Sequence, residues 1–109
     1  MEVGFFTMPI HPIDKDYKKT LSEDREAFLL ADKIGFSEAY CGEHVTDAAE
    51  NITSSALFIA SLAAETKKIR LGTGTVNMPN SHPAAIAGQI AMLDPVSYTH
   101  LTLPTSIQV

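Results

Sequence analysis

Ile69-Arg70-Leu71-Gly72-Thr73-Gly74-Thr75-Val76-Asn77-Met78-Pro79-Asn80-Ser81-His82-Pro83 is the stretch whose reading decides the fold. Ile69, Leu71 and Val76 supply the apolar and β-branched content of an inner strand. Gly72 and Gly74 leave the strand end without side-chain bulk, so a flat ligand can approach the backbone. Pro83 suits the first position of a helix, where a missing N–H costs nothing. That helix runs through Ala84–Leu93. A strand, a glycine-rich turn and a helix form a common unit. Its meaning comes from what precedes it.

Upstream lies a second helix, expected from Thr53 to Thr66, with Leu57, Ala60, Ala63 and Ala64 as its packing stripe. Lys67 and Lys68 follow its C-terminal end, where the helix dipole favours cations. A polar loop, Asp47–Ile52, comes before it, and Phe36–Cys41 reads as a short strand ending in Gly42–Glu43–His44. The first helix is expected to begin near Thr20, which with Glu23 has the spacing of a capping box. Its apolar face is Ala27, Leu30, Ala31 and Ile34, and Gly35 is placed to end it in a left-handed turn. Val3–Phe6 is the opening strand, and Thr7–Tyr17, with Pro9, His11 and Pro12, is a loop in which His11 receives no role. Strand and helix thus alternate three times, the pattern of an α/β parallel sheet with right-handed crossovers. Such units make one edge of a doubly wound sheet or the start of a (β/α)8 barrel, which takes about 250 residues. Periodicity does not choose between them.

Composition narrows the function classes. The chain has 109 residues, 45% of them hydrophobic, which suits one small globular domain. Its net charge of −5 argues against a nucleic-acid partner. No apolar run approaches the roughly 20 residues that span a bilayer, so no membrane partner is expected. Met-Glu-Val-Gly-Phe-Phe has no basic segment ahead of an apolar one and does not read as a signal peptide. A single cysteine, Cys41, fits a reducing cytoplasm and a buried, unreactive thiol. No metal site is expected.

Pro95–Val109 breaks the pattern: it has no acidic residue, lysine or arginine, and prolines 95 and 104 bracket its centre. Val96–Leu103 has the composition of a strand. More specifically, Pro95–Thr105 resembles the translation of a transposase sequencing adapter. Ser106–Gln108 then correspond to a variable index, and Val109 to the last codon before a stop. On this reading residues 1–94 form the native segment and 95–109 a non-native tail, so Tyr98 and His100 receive no function.

Residues 1–94 resemble the N-terminal part of the bacterial luciferase-like monooxygenases. The resemblance rests on Gly4–Phe6, Asp32–Phe36, Gly42–His44, Leu71–Thr75, Pro79–Pro83 and Ala91–Asp94. It implies the first three β/α units of an incomplete (β/α)8 TIM barrel. It also implies reduced FMN, or a deazaflavin in one branch, at the C-terminal mouth. There O2 adds to the reduced flavin, and the resulting peroxyflavin oxygenates a small organic substrate. A flavin reductase as the source of reduced FMN and a homodimer at full length are further implications. The start Met8–Pro12 points to the alkanal or limonene branch.

By the same resemblance His44 is the catalytic residue, moving protons at a barrel mouth. From the residues alone it reads as a histidine bonded to a loop carbonyl. Glu43 either orients it or caps the loop. Many relatives carry a second histidine where this chain has Val45, a departure that counts against a relay using both. Gly74 and Thr75 match the strand end where a non-proline cis peptide commonly lies beneath the flavin, and we expect that bond here. Phe6, Thr73 and Asn77 match further cofactor-binding positions. His82 is expected to bond locally before Pro83, and Met8 and Met78 to serve in packing. The rival readings are a deazaflavin-dependent oxidoreductase of the same fold, a non-catalytic flavin-binding relative and a genuine short interaction domain. The chain alone is expected to be inactive, because five of the eight strands are missing.

Overall fold

A computed structural model of the chain describes residues 1–96 and 105–106. Strand β1 is Gly4–Thr7, helix α1 Tyr17–Ile34, strand β2 Glu38–Cys41, helix α2 Ser55–Ala63 and strand β3 Arg70–Thr73. A short strand β4, Val76–Asn77, leads through a 3-10 turn at Met78–Asn80 into helix α3, Pro83–Val96. Strand β5 is Thr105–Ser106. The main sheet has the order β1–β2–β3, all parallel. The expected strand–helix alternation is therefore present.

Pairing register places Phe5, Ala39 and Leu71 in one row and Phe6, Tyr40 and Gly72 in the next. Successive strand residues point to opposite faces. The Phe5 row therefore packs under the helices, against Phe28, Phe58, Ile59 and Leu62. Phe28 meets Phe5 and Phe58 edge-on, at ring separations of 5.2 and 5.1 Å. The opposite face holds Tyr40 and Phe6, and Phe6 is 56% exposed. The sheet thus has one dry face and one open face.

The helices differ from expectation in instructive ways. α1 begins at Tyr17 rather than Thr20, because the Asp16 carboxylate accepts from the Lys19 N–H at 3.0 Å and forms the N-cap. Thr20 lies inside the helix, donating its hydroxyl to the Tyr17 carbonyl at 2.9 Å. The buried face of α1 is Thr20, Asp24, Phe28 and Ala31. Of the expected face only Ala31 is buried, and Leu30 and Ile34 are exposed. Two polar residues turn inward because polar partners wait for them there. The C-terminal end agrees with expectation. Gly35 has φ 99°, and the Phe36 N–H reaches the Ala31 carbonyl at 2.9 Å.

α2 is shorter than Thr53–Thr66, with Ser54 as its N-cap. Its buried residues are Ser55, Phe58, Ile59, Leu62 and Ala63, while Leu57 is 74% exposed. The helix is apolar nearly all round, so its composition does not mark which side packs. Phe28 on α1 decides that, by drawing Phe58 inward. α3 opens at Pro83 as expected, and continues through Pro95 and Val96, past the expected boundary at Asp94. Thr105–Ser106 pair in parallel with Val76–Asn77. Tyr98 and His100 lie outside the described residues.

Asp32 ties the end of α1 to the start of β3. Its carboxylate accepts from the backbone N–H groups of Lys67, Lys68 and Ile69 at 3.0, 2.9 and 2.9 Å. Burial alone raises the pKa of this group. The donors at Lys68, Ile69 and Lys67 outweigh that and hold it below the usual aspartate value. A lowered folded-state pKa gives stability that is present above about pH 4 and is lost as pH falls through the folded value. Asp32→Asn is expected to cost about 1–2 kcal/mol at pH 7. The cost should shrink as pH falls below the aspartate range. Urea unfolding of the full-length protein at pH 7 and pH 3 measures both.

Candidate functional site

The C-terminal ends of the three parallel strands converge on one rim. Backbone bonds carry the ladder to that rim: Gly42 N–H to Thr7 O at 3.0 Å, and Gly74 N–H to Cys41 O at 2.7 Å. Both glycines are sterically required. A Cβ on Gly42 would lie 2.4 Å from Met8 Cγ, and one on Gly74 would lie 2.6 Å from Phe6 Cε2. Met8 and Phe6 therefore lie across the strand ends over bare backbone. Both keep substantial exposed surface, 44% and 56%. The Gly74–Thr75 peptide is cis, as the resemblance implies. It divides the expected third strand into β3 and β4.

Glu43 is the buried anchor of the rim. Its Oε1 accepts from the backbone N–H and the hydroxyl of Ser55, both at 2.8 Å. Its Oε2 accepts from the Asn77 N–H at 2.9 Å, and Asn77 Nδ2 donates to the Glu43 carbonyl at 3.0 Å. Glu43 thus caps α2 and holds the strand that follows the cis peptide. Of the two roles left open for it, the structure shows the cap.

His44 stands on the rim with its backbone N–H on the Ile52 carbonyl at 2.9 Å. Its Nε2 lies 3.2 Å from Glu50 Oε2 and 3.4 Å from Met8 Sδ. About a third of the imidazole is open, 36% by area. The bond to the Ile52 carbonyl is the backbone's, and among the described residues the ring bonds no loop carbonyl, in contrast to the reading from the residues alone. Nearby, the Ala49 N–H, and after it the Glu50 N–H, hold the Asp47 carboxyl below the usual aspartate range, against a smaller upward push from burial.

The remaining candidate positions divide. Thr75 is half-buried beside Gly74 on the rim. Thr73 has no exposed surface and shares the register row of Thr7 and Cys41, on the helix side. Strand alternation turns it away from the mouth. Asn77 is 8% exposed and bonded to Glu43, so it braces the rim from behind. His82 bonds locally as expected, accepting from the Ala84 N–H at Nδ1. Burial pushes the Cys41 thiol up to about 12, with Asp24 and Glu43 adding to the effect, so it is inert.

Residues that sequence reasoning passed over hold the rim together. His11 Nε2 pairs with the buried Asp24 carboxylate at 2.8 Å. Asn51 Nδ2 donates to Thr20 Oγ1 at 2.9 Å and to Asp24 Oδ2 at 3.2 Å. Tyr17 OH donates to the Asn51 carbonyl at 2.6 Å. This network joins the first loop, α1 and the loop after His44. The one available signal was a buried-type spacing of Thr20, Asp24 and Phe28 on α1, which no apolar periodicity reveals.

Fold and rim together define a β/α-repeat protein that presents its chemistry at the C-terminal mouth of a parallel sheet. The sequence profile of the luciferase-like monooxygenase family matches residues 1–98. The chain belongs to that family. It is 38% identical over 100 residues to 4-hydroxyprotoasukamycin monooxygenase of Streptomyces nodosus subsp. asukaensis, covering 92% of this chain and 27% of that protein. It is 34% identical over 97 residues to limonene 1,2-monooxygenase of Rhodococcus erythropolis, covering 89% and 25%. The oxygenating constituent of 3,6-diketocamphane monooxygenase from Pseudomonas putida, solved in complex with FMN, superposes with a TM-score of 0.93. It is 26% identical, with 100% of this chain and 30% of that one covered. The chain thus spans about a quarter of the length of the curated relatives it matches. Its fold is that of the first three β/α units of a TIM barrel.

Removing the Glu43 anchor should loosen α2 and β4 together. Glu43→Ala is expected to cost about 3 kcal/mol by stranding buried donors at Ser55 and Asn77, and Glu43→Gln about half of that. Chemical denaturation of the two variants beside the parent protein gives both numbers.

Proposed function

We propose that the protein to which this chain belongs is a flavin-dependent monooxygenase acting on a small apolar organic molecule. The observation that carries the reading is the rim: bare backbone at Gly42 and Gly74, exposed Phe6 and Met8 beside it, and an imidazole at its edge. That surface fits a flat, largely apolar ring. Phe6, Gly74 and Thr75 would hold one face of the reduced FMN, with Asn77 and Thr73 supporting them from behind. Bound reduced FMN supplies the electrons that activate O2. Between Gly42 and Pro83 the only lysines and arginines are Lys67, Lys68 and Arg70, before or at the start of β3 and so at the far end of that strand. We assign the phosphate of FMN to segments outside these residues.

His44 is the proton-moving group. It takes or returns a proton at the reacting centre while the surrounding barrel excludes water. A substrate of the limonene or alkanal kind suits the apolar rim, and a separate flavin reductase fits a protein whose structural relative is named an oxygenating constituent. A homodimer at full length and a cytoplasmic location complete the reading. The free thiol of Cys41 supports the location. Among the described residues no helix is long and apolar enough to cross a membrane. A deazaflavin in place of FMN is the alternative, and the flavin that co-purifies with the full-length protein decides between them.

We further propose that residues 1–94 are native and 95–109 are not, and that the chain alone is inactive. Among the described residues both edges of the main sheet lack a neighbouring strand. Purified Met1–Val109 is expected to be aggregated or molten and to lose FMN on gel filtration; a stable monomer with stoichiometric flavin contradicts this. An uninterrupted genomic read through codon 94 tests the tail. In the full-length protein His44→Ala is expected to lower kcat about a hundredfold or more, with FMN affinity changed less than about twofold. Steady-state kinetics with an added reductase, beside flavin titration, checks it.

A further inference from the structure

His44 has two neighbours at one ring nitrogen, and both are hydrogen-bond acceptors. Met8 Sδ is the hydrogen-bond partner of Nε2 at 3.4 Å, and Glu50 Oε2 lies 3.2 Å from the same atom as an ion-pair contact. A neutral imidazole carries one N–H, and an atom facing a carboxylate and a thioether must be the one that carries it. Nδ1 then holds the lone pair, and it has no hydrogen-bond partner among the described residues. We propose that Glu50 is the positioning residue for His44: its carboxylate beside Nε2 favours the ring form that carries the proton there, with Met8 Sδ as the acceptor, and leaves Nδ1 as the proton acceptor of the rim. The proposal rests on the monooxygenase reading for what the proton transfer serves. The orientation itself rests on geometry alone.

Glu50 is suited to this by how firmly its backbone is held. The residue before it, Ala49, accepts from the His11 N–H at 2.8 Å. The residue after it, Asn51, accepts from Tyr17 OH at 2.6 Å and donates its side chain to Thr20 and Asp24. Ile52, one further on, accepts from the His44 N–H at 2.9 Å. A backbone held on both sides limits where the carboxylate can lie before any ligand binds. Its side chain is 16% exposed, against 36% for His44, so the pair is screened on the Glu50 side and open on the other. Glu43 cannot do the same task, because both its oxygens are engaged by Ser55 and Asn77. Asp47 is the remaining charged group on this loop; its Oδ1 accepts from the Ala49 N–H at 2.9 Å, beside Glu50.

The consequence is a two-step proton path at one residue. Nδ1 accepts a proton from the bound reactant and the ring becomes an imidazolium. The Nε2–H stays directed at Met8 Sδ, and the Glu50 carboxylate 3.2 Å from Nε2 pairs its negative charge with the new positive one. The same proton leaves from Nδ1 when the product forms. Glu50 takes no proton from the ring in this scheme, in the manner of the orienting carboxylate of a catalytic triad.

The test uses the full-length protein with its flavin and reductase. Four forms are compared: Glu50→Ala, Glu50→Gln, His44→Ala and the double variant with both alanines. Glu50→Ala is expected to lower kcat about tenfold to a hundredfold with KM and FMN affinity nearly unchanged. Glu50→Gln, which keeps a polar side chain of the same size beside Nε2, recovers part of that loss and guards against a variant that fails to fold. The double variant is expected within about twofold of His44→Ala alone, since a residue acting through His44 has nothing left to act on. Equal losses from Glu50→Ala with and without His44 overturn the proposal, as does wild-type kcat in Glu50→Ala. A long-range proton–nitrogen spectrum of neutral His44 in the parent protein is the independent readout. The Nε2–H form supports the proposal and the Nδ1–H form overturns it. Full activity in His44→Ala removes instead the catalytic role given to His44, and the spectrum still decides the orientation.

Discussion

One carboxylate, that of Glu43, determines where the rim can be. It is buried, and three donors from two other elements converge on it: the N–H and hydroxyl of Ser55 and the N–H of Asn77. Charge-assisted bonds of this kind are roughly twice as strong as neutral ones. A buried carboxylate without them would be costly, so its partners must stay in place. The end of β2, the first turn of α2 and the strand beyond the cis Gly74–Thr75 bond are thereby held as one unit. His44 is the next residue along. Its position on the rim follows from that anchor more than from any contact of its own ring.

The second constraint is the alternation of the parallel strands. It sends Phe5, Ala39 and Leu71 into the helix layer and Phe6, Tyr40 and Gly72 to the open face. In a closed barrel that open face is the packed interior. Here Phe6 remains 56% exposed, and Leu30 and Ile34 of α1 are exposed as well. The same alternation separates Phe6, which the open face presents, from Thr73, which the helix layer hides.

A network of polar groups supplies what the core does not. His11, Asp24, Asn51, Thr20 and Tyr17 join the first loop, α1 and the loop after His44. Among the described buried side-chain atoms, Asn51 Oδ1 alone lacks a partner, a site that suits one ordered water. Such networks specify a unique arrangement because a half-made one is worse than none. That requirement explains why Thr20 and Asp24 face inward on a helix whose apolar residues suggested a different face.

The order of elements was legible in the sequence, and so were the left-handed turn at Gly35, the proline opening of α3 and the glycines at the strand ends. These are local matters, decided by φ/ψ preference and by side-chain bulk at single positions. The family was legible too, from short motifs spread over residues 1–94. The packing faces of α1 and α2 were not. α2 is apolar nearly all round, and α1 buries polar residues whose partners lie 13 to 31 positions away. Nor did the sequence reveal which carboxylate serves His44. Glu43 adjoins it in the chain, yet Glu50 meets its ring, because chain neighbours on an extended segment point to opposite sides. Local conformation is written in local residues. The pairing of distant polar groups is decided only when the chain has closed on itself.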